Sequence, residues 1–205
     1  KEFETEIKLE HNTIDPNLKV SIEAAEMPAK VLKADFQIAL LRALYGCPVG
    51  IYRMSPDIAG LVQTSNNLAR VLVKNGEYTV QCLTRSSVDS EKMDEAEAIK
   101  ALFELIGSKV EFGGSYPGWA PRPGAEIVKT MSNLYRELFN DEAHVMACHA
   151  GLECGILGTN YPEMEMISFG PNIRGAHSPD ECVQISSVHK YWKLLIETLK
   201  RIPEA

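Results

Sequence analysis

His177-Ser178-Pro179-Asp180-Glu181 is the run whose residue types come closest to metal-ligand chemistry. A loop histidine can offer a neutral imidazole nitrogen to a cation, and nearby carboxylates can orient it. A strand and its exit loop, Met164 to Phe169 and then Gly170-Pro171-Asn172, lead into it. The same residues fit a surface or hydrogen-bonded histidine, the commoner fate of a lone one. The chain has five histidines, His11, His144, His149, His177 and His189. None stands in a His-x-Asp, His-x-x-x-His or His-Glu-x-x-His arrangement. A metal on His177 would draw most of its ligands from elsewhere.

Three other segments carry chemical potential. Cys148-His149-Ala150-Gly151-Leu152-Glu153-Cys154-Gly155 follows a buried-looking strand, Val145 to Cys148. Ligands collect at the carboxyl ends of strands in open α/β sheets, and Gly151 and Gly155 would let backbone amides approach one. A plain strand-to-helix turn explains the segment equally. Arg85 ends another strand, and its guanidinium is a natural fork for a carboxylate; a solvated or structurally paired arginine is the alternative. Thr64-Ser65-Asn66-Asn67 interrupts a strand pattern with four polar side chains. No Walker loop, GxGxxG or Ser/His/Asp arrangement stands out. The acidic run from Asp89 to Glu97 reads as charge bias at a helix N-terminus and a solvated face.

The elements that must position these residues divide into two parts. Leu18, Val20 and Ile22 alternate with polar neighbours and predict a half-buried strand. A helix opening near Pro28 would bury Val31, Leu32, Phe36, Ala39, Leu40 and Leu44, ending at Gly46 and Pro48. Residues 58–73 read as a strand, Asn75-Gly76 as a hairpin turn, and Tyr78, Val80 and Cys82 as the return strand. A short extra strand fits Gly50 to Met54. Ser90 would cap a helix burying Ala96, Ile99, Leu102, Phe103 and Ile106, stopped by Gly107. A short strand, Lys109 to Phe112, completes a β-α-β-β-α-β order, the split βαβ or ferredoxin-like pattern. Gly113, Gly114, Pro117, Gly118, Pro121, Pro123 and Gly124 then form a linker-like stretch. Beyond it come a helix over about 126–139, the two strands named above, and a last helix burying Ile185, Val188, Tyr191, Trp192, Leu195 and Leu199. Two strands make a poor sheet alone. The fold class expected is α/β (α+β): residues 1–116 a ferredoxin-like part, residues 117–205 an incomplete α/β segment.

Bulk properties narrow the function. At 205 residues, 45% hydrophobic and 24% charged, the chain has a globular composition. A net charge of -7 and a pI of about 5.3 argue against nucleic acid and anionic membrane as partners. No apolar run approaches the roughly 18–20 residues that span a bilayer, and no signal peptide opens the sequence. Five cysteines, an odd number without CxxC spacing, suit reduced thiols in a cytoplasmic protein, packed as small apolar residues. Lys1 is no initiator, and residues 2–10 read as a helix entered midway.

His149-Ala150-Gly151-Leu152-Glu153-Cys154-Gly155, Tyr161-Pro162-Glu163-Met164, Gly170-Pro171 and His177-Ser178-Pro179-Asp180-Glu181 together closely resemble the C-terminus of bacterial aminoacyl-histidine (Xaa-His) dipeptidases. The resemblance continues upstream through Tyr116-Pro117-Gly118-Trp119, Arg85-Ser86-Ser87-Val88-Asp89-Ser90 and Thr64-Ser65-Asn66-Asn67. It implies a dizinc peptidase of the superfamily that includes carnosinases and succinyl-diaminopimelate desuccinylase. It implies a catalytic α/β domain with an inserted lid that also dimerises. It implies two metals about 3.5 Å apart that clamp a carbonyl and a hydroxide, beside a Glu acting as general base. The family's His-x-Asp motif, bridging Asp, Glu-Glu pair and other metal Asp have no counterpart in this chain. His177 matches the last metal ligand, Arg85 the lid arginine that grips the substrate carboxylate, and Gly151 the substrate-contacting glycine. Asn67 resembles the Asn of a Ser-Asn-Asn lid motif in the desuccinylases, and another lid Asn, upstream of this chain, is a candidate for the same role. The implied whole is a zinc dipeptidase, cytoplasmic and homodimeric through its lid, of which this piece alone is inactive. The alternative is a non-enzymatic dimerisation or binding module derived from the lid.

Overall fold

A computed structural model of the chain describes residues 2–147 and 153–201. The chain divides into two units, residues 1–37 and 38–205. In the first, α1 (Glu2–His11) buries no residue and carries a Lys8–Glu4 ion pair at 2.6 Å on its surface. Residues 18–33 are irregular, so the strand expected at 18–22 is not formed, and Ile22 is 92% exposed. Alternation alone makes no strand; a paired edge must satisfy its amides. The next helix, α2 (Ala34–Gly46), starts six residues after Pro28, and Val31 remains outside it and exposed.

The second unit is built on a three-stranded antiparallel sheet in the order β1-β2-β3, comprising β1 (Gly50–Met54), β2 (Val62–Lys74) and β3 (Glu77–Ser86). Asn75 and Gly76, at φ 56° and 84°, turn β2 into β3. Both central positions of a type I′ turn need positive φ, which is why Asn-Gly stands there. Between Leu68 and Arg70 the register shifts by a bulge. Helix α3 (Asp89–Glu104) packs on the sheet, burying Ile99 and Phe103 with Ala43 and Cys47. Gly107, at φ 79°, ends it: its amide donates to the Glu104 carbonyl and that of Ser108 to the Phe103 carbonyl. That is a Schellman closure, which a Cβ at Gly107 would strain. Ser90 lies inside α3 rather than capping it, because Val88 holds the N-cap position. The strand expected at 109–112 is irregular.

The remaining elements are helical with one small hairpin. Helix α4 (Glu126–Phe139) has the bounds its apolar periodicity predicts, and Asn140, at φ 49°, closes it. Its N-cap, Ala125, offers no side-chain acceptor. Glu165 supplies one instead, accepting the Ile127 amide at 3.0 Å. The Ile127 and Glu126 amides hold the Glu165 pKa below its ordinary value, as the positive end of a helix should. Residues 145–147 and 164–169 are irregular rather than strands, and Cys148 lies outside the described residues. The strands found are β4 (Ile173–Arg174) and β5 (Cys182–Val183), an antiparallel pair. Between them and α4 lies α5 (Glu153–Asn160). The last helix, α6 (Ile185–Leu199), buries Leu194 against Met131 and Leu134 of α4. Of the face expected inside, Ile185, Trp192 and Leu199 are 74%, 60% and 52% exposed.

Candidate functional site

The sheet has a polar inner face and a polar outer face, with different tasks. Inside, Thr64 is fully buried and Asn66 nearly so. The Thr64 hydroxyl donates its one proton to Glu91 at 2.8 Å. Ser86, 2.8 Å from the same hydroxyl, must then be the donor to it. The Ser86 oxygen in turn accepts the Val88 amide at 3.0 Å. Asn66 donates to the Pro48 carbonyl at 2.7 Å. Glu91 also accepts from Gln63 at 2.8 Å and from Arg53 at 2.9 Å. These donors, Gln63 first, hold the Glu91 carboxyl below its ordinary pKa. Four polar residues inside a strand are therefore half structural: Thr64 and Asn66 face inward and are satisfied there, Thr64 by α3 and Asn66 by Pro48 and Thr84.

Asn67 and Arg85 face the other way. Arg85 pairs with Ser65 and Asn67 with Leu83 across the hairpin. On a pleated pair those four share one face, and Arg85 and Asn67 are diagonal neighbours within reach of a long side chain. Both are exposed. The Arg85 guanidinium has no ion pair or hydrogen bond among the described residues. Arg85 also lines one end of a groove of about 740 Å³ that runs along β3 beside residues 107–116.

His177 occupies a different element, the loop that joins β4 to β5. Its φ of 65° is the left-handed conformation, sparsely populated outside glycine though tolerated by histidine. Ser178 fixes that loop: its hydroxyl donates to the Gly175 carbonyl at 2.7 Å and accepts the Asp180 amide at 3.3 Å. Glu181 accepts the His177 backbone amide at 2.7 Å. The neighbouring carboxylate thus pins the histidine's backbone, not its ring. Among the described residues no three His, Cys, Asp or Glu side chains converge as a metal site. Gly151 lies outside the described residues.

Sequence reasoning missed one group in the core beneath α3. Glu95 is fully buried, and neither carboxyl oxygen has a hydrogen-bond partner among the described residues. Burial pushes its pKa up to about 7. Cys47 lies in the same core, where burial first, then Cys82 and Glu95, pushes the thiol up to about 12. Cys47, Cys82, Cys154 and Cys182 are free thiols, with Cys182 exposed rather than packed inside. The acidic run is thus no uniform solvated face. Glu91 and Glu95 fall in step with Ile99 and Phe103 at intervals of four, the stripe that faces the sheet. That register was the available signal, masked by the charge.

The molecule is of mixed α/β class, with two small antiparallel sheets. One carries an arginine unpartnered among the described residues, and the other a histidine loop. A model of Peptidase family M20/M25/M40 matches residues 5–201, and the chain belongs to that family. The cytosol non-specific dipeptidase of Escherichia coli (strain K12) is 39% identical over 189 residues, covering 92% of this chain and 39% of that protein. The crystal structure of aminoacylhistidine dipeptidase from Vibrio alginolyticus superposes with a TM-score of 0.82 at 36% identity, over 98% of this chain and 41% of that one. The chain therefore spans about two fifths of the length of these relatives. Among the described residues no helix is long and apolar enough to cross a membrane.

Proposed function

We propose that this chain is the later part of a zinc-dependent dipeptidase acting on Xaa-His and related dipeptides. The observation that carries the reading is Arg85, an exposed guanidinium without an intramolecular partner among the described residues, on one sheet face with Asn67. A fixed planar fork of donors matches the free carboxylate of a dipeptide, and an Asn beside it can bond the peptide's polar backbone. On this reading residues 1–116 belong to a lid that also dimerises, and residues 117–205 to the catalytic domain, with Gly151 contacting substrate. His177 would hold one of two metal ions. Its chemistry fits: an imidazole nitrogen is a common zinc donor, and the loop fixes its backbone while leaving the residue exposed. When bound, such a pair of metals polarises the scissile carbonyl and lowers the pKa of water. One imidazole does not hold a catalytic zinc, which takes three protein ligands, so these 205 residues alone are inactive. The missing donors and the general base come from the portion of the relatives that this chain does not span. The E. coli relative's designation as a cytosol dipeptidase supports a cytoplasmic setting.

The test uses the longer protein. His177→Ala is expected to lower turnover at least about 100-fold and to lose one equivalent of metal. Wild-type turnover with full metal occupancy would remove His177 from the centre.

A further inference from the structure

The stretch from Gly113 to Gly124 has the composition of a flexible linker, yet its middle is tied to α3 and seated on Ser87, although Asp89, which ties it, is 56% exposed. The Gly118 amide donates to Asp89 Oδ1 at 3.0 Å. Lys92 Nζ donates to the same oxygen at 2.7 Å and to the Tyr116 carbonyl at 2.6 Å. Its side chain is only 14% exposed, so its charge depends on those partners. A Cβ on Gly118 would stand 2.5 Å from the Ser87 carbonyl oxygen, and one on Gly155 would stand 2.5 Å from that of Pro117. Neither position admits a side chain without moving backbone. Burial works against the Asp89 carboxylate, but Lys92 and the Gly118 amide outweigh it and keep its pKa below the ordinary value.

The place of this joint matters more than its rigidity. Ser86 and Ser87, on which Gly118 is seated, directly follow Arg85. Gly155, seated on Pro117, lies four residues after Gly151. We infer that the Tyr116–Trp119 segment is a locked joint that fixes where Arg85 meets the substrate, with Asp89 and Lys92 as its positioning residues. This rests on Arg85 being the carboxylate clamp. Asp89 and Lys92 touch no substrate; they hold the backbone behind the residue that does. Displacing the clamp weakens its grip on the carboxylate in the ground state and the transition state alike, and a loss of that kind raises KM with little change in kcat.

The experiment is steady-state kinetics of the longer protein with a free dipeptide and its C-terminally amidated analogue. Asp89→Ala is expected to raise KM for the free dipeptide about tenfold, with kcat within about twofold and KM for the amide unmoved. Combined with Arg85→Lys, it should add little to the effect of Arg85→Lys alone. Should Asp89→Ala fail to fold, Asp89→Asn keeps an oxygen for the Gly118 amide and removes only the ion pair; a KM rise of about threefold is then expected. If Arg85→Lys raises KM and neither Asp89 variant does, the joint is merely structural and the inference falls. If Arg85→Lys itself leaves KM unchanged, the clamp reading falls first, and the inference with it.

Discussion

Around the three-stranded sheet, side chains from α2, α3 and all three strands hold one another, whereas α4 and α6 share a single apolar seam. In the sheet region Ala43, Cys47, Ile99 and Phe103 form the core, and Glu91 ties β1, β2 and α3 together. In the helical region Met131, Leu134 and Leu194 are the buried set. The outward side of α6 keeps Ile185 and Trp192 in solvent. A helix apolar on two sides belongs to a thicker layer than the one it has here. The sheet region leaves apolar surface in water as well, with Ile51 62% and Leu83 48% exposed, so what separates the two is how many elements close each core.

The largest expected effect probes the difference directly. Phe103→Ala should cost about 3–5 kcal/mol of unfolding free energy, because it empties a site closed from several elements. Leu194→Ala should cost less, nearer about 2 kcal/mol, because a two-helix seam can partly collapse. Urea unfolding of this chain, followed by circular dichroism, measures both. An equal or greater loss at Leu194 would break the comparison.

The sheet region has its own weak point in Glu95. Its carboxyl binds a proton more tightly when folded, at about 7, than at the ordinary 4.5. Its contribution is therefore intact below pH 4.5 and is lost as pH rises through 7. The separation is worth roughly 3 kcal/mol at alkaline pH, at about 1.4 kcal/mol per pH unit. Glu95→Gln should accordingly stabilise the chain at about pH 8 and change little at about pH 4.5. Stability curves for the two proteins that run parallel across that range would show that Glu95 is not buried as an unpaired acid.

How far the sequence reveals this structure depends on how local each signal is. Helix α4, the Asn75-Gly76 turn and the Gly107 stop are set by residues within a few positions of each other, and all three are readable. Strands are not local. Residues 18–22, 109–112, 145–147 and 164–169 carry strand-like composition, but a strand exists only where another edge accepts it. The Arg85–Asn67 face hangs on one residue. Counted back from the turn without the bulge, Arg85 would stand opposite Asn66; the shift between Leu68 and Arg70 moves it opposite Ser65. Asn67 thereby joins Arg85's face and Asn66 turns inward. A one-residue slip exchanges the faces, and nothing in the run of residue types announces it.

The turn itself offers a smaller test of the sheet region. Gly76→Ala places a Cβ at φ 84°, where nothing crowds it and the cost is purely conformational. About 1–2 kcal/mol is expected. A matching loss of β-sheet signal would show that the hairpin nucleates the sheet's stability, and no loss would mean the turn relaxes.

The smallest expected effect on folding lies on the other region's bare face. Trp192 is 60% exposed and adds little to the α4–α6 seam, so Trp192→Ser should change the unfolding free energy by less than about 0.5 kcal/mol. The same substitution should sharply reduce concentration-dependent association, because exposed apolar surface of this kind drives it. Sedimentation velocity over a roughly tenfold concentration range, beside urea unfolding, separates the two quantities. Unchanged association together with a large loss of stability would mean that α6 buries Trp192 in solution. The α4–α6 seam would then be closed as broadly as the core under α3, and the comparison between the two would fail.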